Sequence, residues 1–397
     1  MNLNSLKIAL IYDKVNTPFG GAEHVLAALH QAFPNAPLFT SIYEPVHAEW
    51  ARDFAVMSSF LNKMPFFRSK HQILLPLMPL AFESFNLDDY DVIISVTAGE
   101  AKGVLTKPHQ LHICYLLTPP RYLYTHQEEY LQSYRFAKLP IFRQIAKLWL
   151  RYLKWWDEAA GFRPDFIIPI SGLVKARAEK IYGRAIEEPL YPPVPSMPDN
   201  NTTLPVEGCL LSASRLVPYK RLDLSIAACK KLGLTLVVTG DGAARPSLLK
   251  AAGRVGISRI PGEPLGDFLV RAAANHKTIL FANKCTENEL AALFRTCRAL
   301  LMPGVEDFGI TAMQAAAVGL PVIMAKKSGA AELLHNNKQA FFLNTVSEKA
   351  LIEAIKQLPH TRPPYRKQPK SDVFTTQFAK KVYDLFISHQ DLIAKGT

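Results

Sequence analysis

The stretch CLLSASRLVPYKR, residues 209–221, is a short apolar run that breaks into a loop carrying two arginines and a lysine. An apolar run of strand length, followed by a helix-periodic segment at 222–232, opens a parallel α/β unit. Outward from it, strands are expected over 235–239, 278–281, 299–302 and 322–325, and helices over 287–297 and 310–318. Toward the N-terminus, 7–12, 91–96 and 112–117 read as strands, and 22–33 reads as the helix that follows the turn Gly20-Gly21-Ala22-Glu23. Such alternation belongs to parallel sheets covered by helices, so the class is α/β with two doubly wound, Rossmann-like domains facing across a cleft. Pro189, Pro192, Pro193, Pro195 and Pro198, followed by Asp199-Asn200-Asn201, disfavour helix and central strand alike. The expected organisation is a domain over 1–190, a linker over 191–201, a second domain over 202–370, and a C-terminal segment 371–397. The last segment contains a helix near 373–392 that packs back on the first domain.

At 397 residues the chain is long enough for two or three domains. Hydrophobic residues make up 49% and charged residues 20%, which is ordinary globular usage and excludes wholesale disorder. The net charge of +12 divides as +2 over 1–190 and +10 over the remainder, so an anion site is expected in the second domain. Cys114, Cys209, Cys229, Cys285 and Cys297 form no CxxC pair, which argues against a structural zinc site and a disulfide framework and fits a reducing cytosol. The apolar run 8–12 is too short for a signal-peptide core, and 74–82 is interrupted by Pro76 and Pro79. A cytoplasmic protein is expected.

Arg215 and Lys220 lie on a loop at a strand's carboxyl end, the edge at which open parallel sheets bind ligands. A planar guanidinium fork and a mobile ammonium together suit a diphosphate, although the same octapeptide also reads as a solvated basic loop. Gly304-Val305-Glu306-Asp307-Phe308-Gly309-Ile310 leads from another strand end into a helix whose first N–H groups are free to receive an anion. Glu306 then stands where its carboxylate can accept bonds from hydroxyls, or simply complements the helix dipole. Gln314, slightly more than two turns on, points to a similar side. Gly240-Asp241-Gly242 is a weaker signal and reads equally as a strand-to-helix turn.

Residues 214–221, 240–242, 288–298 and 304–321 together resemble the donor domain of retaining glycosyltransferase family 4, which has the GT-B fold. Residues 20–23, 90–95, 112–122 and Tyr191-Pro192-Pro193-Val194 are similar to that family's first domain and interdomain segment, so the resemblance spans nearly the whole chain. It points to bacterial mannosyltransferase-like enzymes of O-antigen, capsule and exopolysaccharide assembly. It implies a nucleoside diphosphate sugar, GDP-mannose first, as co-substrate, with no metal or other cofactor. Arg215, Lys220 and Glu306 become the catalytic group. Gly20, Gly21, Gly240, Asp241, Phe308, Gly309, Ile310 and Gln314 become donor-binding residues. Thr118 and Arg121, in the segment 112–122, become candidate acceptor or membrane contacts, together with Arg143, Lys147, Arg151 and Lys154. Two positions depart from the family pattern: Gln314 replaces the second acid of E-x7-E, and Leu117 replaces a histidine. The departures leave open a catalytically degenerate nucleotide-sugar-binding protein, beside a UDP-sugar-dependent transferase. Lys220→Ala is expected to abolish stabilisation by nucleotide without shifting the unliganded melting point.

Asp89-Tyr90-Asp91 spells a DxD but opens a strand instead of following one, so no metal site is expected there. Residues 131–156 carry Arg135, Lys138, Arg143, Lys147, Arg151 and Lys154 with no acid. On a helix the bases gather opposite Leu148, Tyr152, Trp155 and Trp156. Such a helix either lies on an anionic membrane face or packs its aromatics on the first sheet. A second candidate contact is 54–85, centred on 66–70. The expected acceptor is a polyprenyl-linked or other glycan at the cytoplasmic membrane face. With no recognised DNA- or RNA-binding motif, nucleic acid is not an expected partner.

Overall fold

The computed structural model describes residues 6–64, 75–128, 140–199, 202, 204–359 and 373–396. The chain divides into two units, Met1–Pro193 with Ser371–Thr397, and Val194–Lys370.

The first unit contains β1 Ile8–Tyr12, α1 Gly21–Ala32, β2 Leu38–Thr40, β3 Val56–Ser58, α2 Met78–Glu83, β4 Val92–Thr97, β5 Leu111–Leu116, α3 Arg121–Tyr124, α4 Pro140–Ala160, β6 Phe166–Pro169 and α5 Gly172–Tyr182. Its strands form one parallel sheet in the order β3-β2-β1-β4-β5-β6. Every residue of β1 and β4 is buried, because helices cover both faces of the sheet.

The second unit contains β7 Leu210–Ala213, α6 Leu222–Leu232, β8 Leu236–Thr239, α7 Arg245–Ala252, β9 Gly256–Ser258, α8 Leu265–Ala274, β10 Ile279–Asn283, α9 Glu287–Thr296, β11 Ala299–Met302, α10 Ile310–Ala317, β12 Val322–Ala325, α11 Gly329–Leu334, β13 Ala340–Leu343 and α12 Glu348–Lys356. The strands are again all parallel, in the order β13-β12-β11-β7-β8-β10-β9. Successive side chains enter opposite cores: Leu211, Val237, Leu280 and Leu300 pack in one cluster, and Leu210, Leu236, Ile279 and Leu301 in the other. That period of two makes each strand apolar throughout.

A last helix, α13 Val373–Gly396, returns to the first unit. Phe374 and Phe378 meet the Tyr115 ring of β5 edge-on at 5.7 and 5.5 Å. The Tyr115 hydroxyl donates to the Leu190 carbonyl at 2.7 Å, and Lys381 pairs with Glu187 at 2.8 Å.

Five strands have no counterpart in the sequence reading: β2, β3, β6, β9 and β13. Three of them are only three residues long, too short for periodicity to declare itself, and β13 is half-exposed. The centre of the candidate contact at 66–70, and the basic residues Arg135 and Lys138, lie outside the described residues.

Candidate functional site

The site is built on three loops that leave the carboxyl ends of the adjoining strands β7, β8 and β11. Backbone hydrogen bonds weld them together. Leu216 N–H donates to Asp241 O at 2.9 Å, Ala244 N–H to Leu216 O at 2.8 Å, and Gly304 N–H to Lys220 O at 3.2 Å. Only glycine permits this closeness. A Cβ on Gly240 would stand 1.9 Å from Ser214 O, and one on Gly304 2.4 Å from Tyr219 O. The Gly240-Asp241-Gly242 turn is therefore part of the wall that carries Arg215, and Asp241 Oδ1 accepts from Gly242 N–H at 2.8 Å.

On this wall the Lys220 ammonium donates to both carboxylate oxygens of Glu306, with the two side chains 13% and 9% exposed. Glu306 is fixed through its backbone, since its N–H donates to Ser328 Oγ at 3.0 Å and its carbonyl accepts from Gly329 N–H at 3.1 Å. Phe308 is buried, and its carbonyl accepts from Ala330 N–H at 2.7 Å. Gly309, at φ 108°, then turns the chain into α10, and no side chain caps that helix start at Ile310. Arg215 is exposed, with a guanidinium N–H reaching the Tyr219 hydroxyl at 3.3 Å. Gln314 donates from Nε2 to the Pro195 carbonyl at 3.1 Å.

The two cations of the 214–221 loop differ in setting: the Lys220 ammonium pairs with Glu306, whereas the Arg215 guanidinium is exposed. The Arg215 fork and the α10 N-terminus are the donors of this edge that no carboxylate covers in the contacts described. Removing Lys220 would also strand a buried carboxylate, so the unliganded fold cannot be indifferent to Lys220→Ala.

In the first unit, Gly20 precedes α1 in an extended conformation with no side-chain cap, and Gly21 is the first helical residue. Glu23 is buried and accepts from the Tyr12 hydroxyl at 2.9 Å. Burial lowers the His24 imidazole to about 4, so it stays neutral against the Phe19 ring. Thr118 is buried with its hydroxyl 3.3 Å from Pro119 O, and Arg121 opens α3. Asp91, of the rejected DxD, accepts from Lys7 N–H at 2.8 Å, and among the described residues no three metal-ligating side chains cluster.

A polar network at the carboxyl edge of β1 and β4 went unread in the sequence. Asp13 receives the Thr97 hydroxyl at 2.7 Å and the N–H groups of Ala98 and Ala101 at 2.8 and 2.9 Å. Next to it the fully buried Lys102 ammonium bonds Asp157 and the Gly99 carbonyl. Asp157 also accepts from the hydroxyls of Tyr124 and Tyr182 at 2.8 and 3.2 Å. Glu100 takes the Tyr122 hydroxyl, and burial holds its carboxyl above the ordinary range. Partners 55 and 84 residues apart leave no local spacing to read.

Residues 205–372, nearly all of the second unit, match the family model for glycosyl transferases group 1. The second unit thus matches a group 1 glycosyltransferase domain. Among curated proteins, a D-inositol 3-phosphate glycosyltransferase of Streptomyces bingchenggensis is 32% identical over 134 residues, 30% of this chain and 26% of that protein. A GDP-mannose-dependent alpha-(1-6)-phosphatidylinositol monomannoside mannosyltransferase of Mycobacterium tuberculosis is 28% identical over 167 residues, 39% of this chain and 38% of that protein. The matches thus span well under half the length of these relatives. Among solved structures, HepE of Anabaena in complex with UDP and glucose is similar over 98% of this chain and 99% of its own, with a TM-score of 0.55 and 16% identity. The lipopolysaccharide outer core galactosyltransferase WaaB is similar over 96% and 99%, with a TM-score of 0.52 and 15% identity. The fold is GT-B, with the group 1 domain as its second Rossmann-like unit.

Proposed function

We propose that the chain transfers a hexose from a nucleoside diphosphate sugar, with retention of configuration, to a polyprenyl-linked or other glycan acceptor in cell-surface polysaccharide synthesis. The observation that carries this reading is the welded strand edge of the group 1 domain. It presents an exposed arginine fork and a helix start without a side-chain cap on loops from adjoining strands. Diphosphate is the anion that two such separated donors can hold at once. Arg215, with Lys220 beside it, offsets the negative charge that grows on the leaving diphosphate, and Glu306 accepts bonds from the sugar hydroxyls. Amides at Phe308, Gly309 and Ile310 cradle phosphate, and Gln314 turns from Pro195 to the ribose. No metal takes part in this scheme. Mannose from GDP-mannose is the preferred donor, supported by the name of the mycobacterial relative. The proposed place of work is the cytoplasmic face of an anionic membrane.

A second reading is a nucleotide-sugar binder without transfer activity. The Gln314 amide favours it, being already engaged by Pro195 O instead of free for a ligand. Thermal-shift titration with GDP-, UDP-, dTDP- and ADP-sugars tests both. One nucleotide class should raise the melting temperature, and Arg215→Ala should remove that rise while leaving the unliganded melting temperature in place. Release of the free nucleoside diphosphate from the stabilising donor selects the transferase, and stabilisation without turnover selects the binder. If no nucleotide sugar stabilises the chain, both readings fail.

A further inference from the structure

We infer that α4 is a bilayer-docking face for anionic lipid, with an aromatic stripe that enters the headgroup boundary and bases that bind the headgroups. The helix buries one side and leaves a different apolar side in water. Leu150 and Leu153 pack with Met78, Ala81 and Leu123, and Trp156 is buried with its indole N–H on Glu83 at 2.7 Å. Those residues satisfy the inward face. Ile145, Leu148, Trp149, Tyr152 and Trp155 nevertheless stand in solvent, with Leu148 and Trp155 63% and 67% exposed. Their spacing places them within an arc of about 120° at roughly 100° per residue, an arc that is covered only toward the end of the helix, where Trp156 is buried. The alternative that Leu148, Tyr152 and Trp155 pack on the sheet is thereby excluded, and of the four residues in that expectation only Trp156 turns inward.

The charge of the helix decides the occupant. Arg143, Lys147, Arg151 and Lys154 share its solvent-facing surface with the stripe. Arg143 pairs with Glu128 at 2.8 Å and Lys154 lies 3.9 Å from Glu158, while Lys147 and Arg151 meet no carboxylate among the described residues. A second copy of the chain would bring the same four bases against these four. An anionic bilayer supplies apolar boundary and counter-charge together: tryptophan and tyrosine settle at headgroup level, and long basic side chains reach outward to the lipid charges. Among the described residues no helix is long and apolar enough to cross the membrane, so the contact is peripheral.

The biological purpose of this face rests on the proposed transferase reading, but its test needs neither donor nor turnover. The full chain is sedimented with phosphatidylcholine vesicles, with and without phosphatidylglycerol. It should pellet only with the anionic vesicles, and added salt should release it. Trp149→Ser with Trp155→Ser, and separately Lys147→Glu with Arg151→Glu, should each lower binding by about tenfold, with the melting temperature and the nucleotide-sugar shift retained. Failure of the chain to pellet, or equal pelleting of the variants, overturns the proposal and leaves the transferase reading standing. A stripe variant that converts a dimer to a monomer in sedimentation velocity, with no vesicle binding by the parent, overturns it in favour of self-association.

Discussion

Lys220 and Glu306 illustrate how a pair can be chemically functional and structurally necessary at once. Taking one partner away strands the other in a poorly hydrated place, which costs about 1–3 kcal/mol for a pair that keeps some solvent contact. Lys220→Ala should therefore lower unliganded stability by that amount in urea titration, whereas Arg215→Ala, at an exposed side chain, should leave it unchanged. Both should weaken stabilisation by donor. An unchanged urea midpoint for Lys220→Ala would separate the lysine from Glu306 in solution. The Lys102–Asp157 pair is sealed more completely, with side chains 0% and 2% exposed. Lys102→Met should destabilise the first unit by about 3–5 kcal/mol in the same measurement. That Arg215, Lys220 and Glu306 lie on loops at strand ends was legible in the sequence, because each follows an obvious apolar strand. Their pairing was not, since 86 residues separate Lys220 from Glu306 and only the adjacency of β7 and β11 brings them together.

At the scale of elements, the long buried strands and the helices after them declared themselves through continuous apolar runs and helical spacing. The loops between them did not, because their shape depends on which strands become neighbours. Gly304 shows the consequence. Its missing side chain admits the Tyr219–Lys220 backbone, so Gly304→Ala should force the two loops apart, destabilise by about 1–3 kcal/mol, and weaken donor binding as measured by thermal shift. β5 carries a second testable feature. His112 is fully buried, with Nε2 2.9 Å from Ser95 Oγ, and burial lowers its imidazole from 6.5 to about 3. Between those values the unfolded chain binds a proton that the folded chain refuses, so stability is present above 6.5 and is lost as pH falls through that window. The melting temperature of His112→Gln should fall less steeply with acid than that of the parent. Parallel slopes would remove His112 as the cause.

At the scale of the whole molecule, length allowed two or three domains, charge was concentrated in the second half, and the chain divides into two units at Pro193 and Val194, within the proline cluster. The expected return of the C-terminal helix to the first domain has its physical form in an aromatic contact. The rings of Phe374 and Phe378 close over Tyr115 in β5, and Phe378 is fully buried. The first unit therefore includes residues synthesised after the whole of the second, while the second draws all its strands from one continuous stretch. Phe378→Ala removes a buried ring, at a cost of about 3–5 kcal/mol. In differential scanning calorimetry this loss should fall on the transition of the first unit. The transition that responds to nucleotide diphosphate should keep both its midpoint and its ligand-induced shift. A variant that lowers both transitions equally would show that the two units unfold as one cooperative body, and stability changes in either could then no longer be assigned to the unit that carries the substitution.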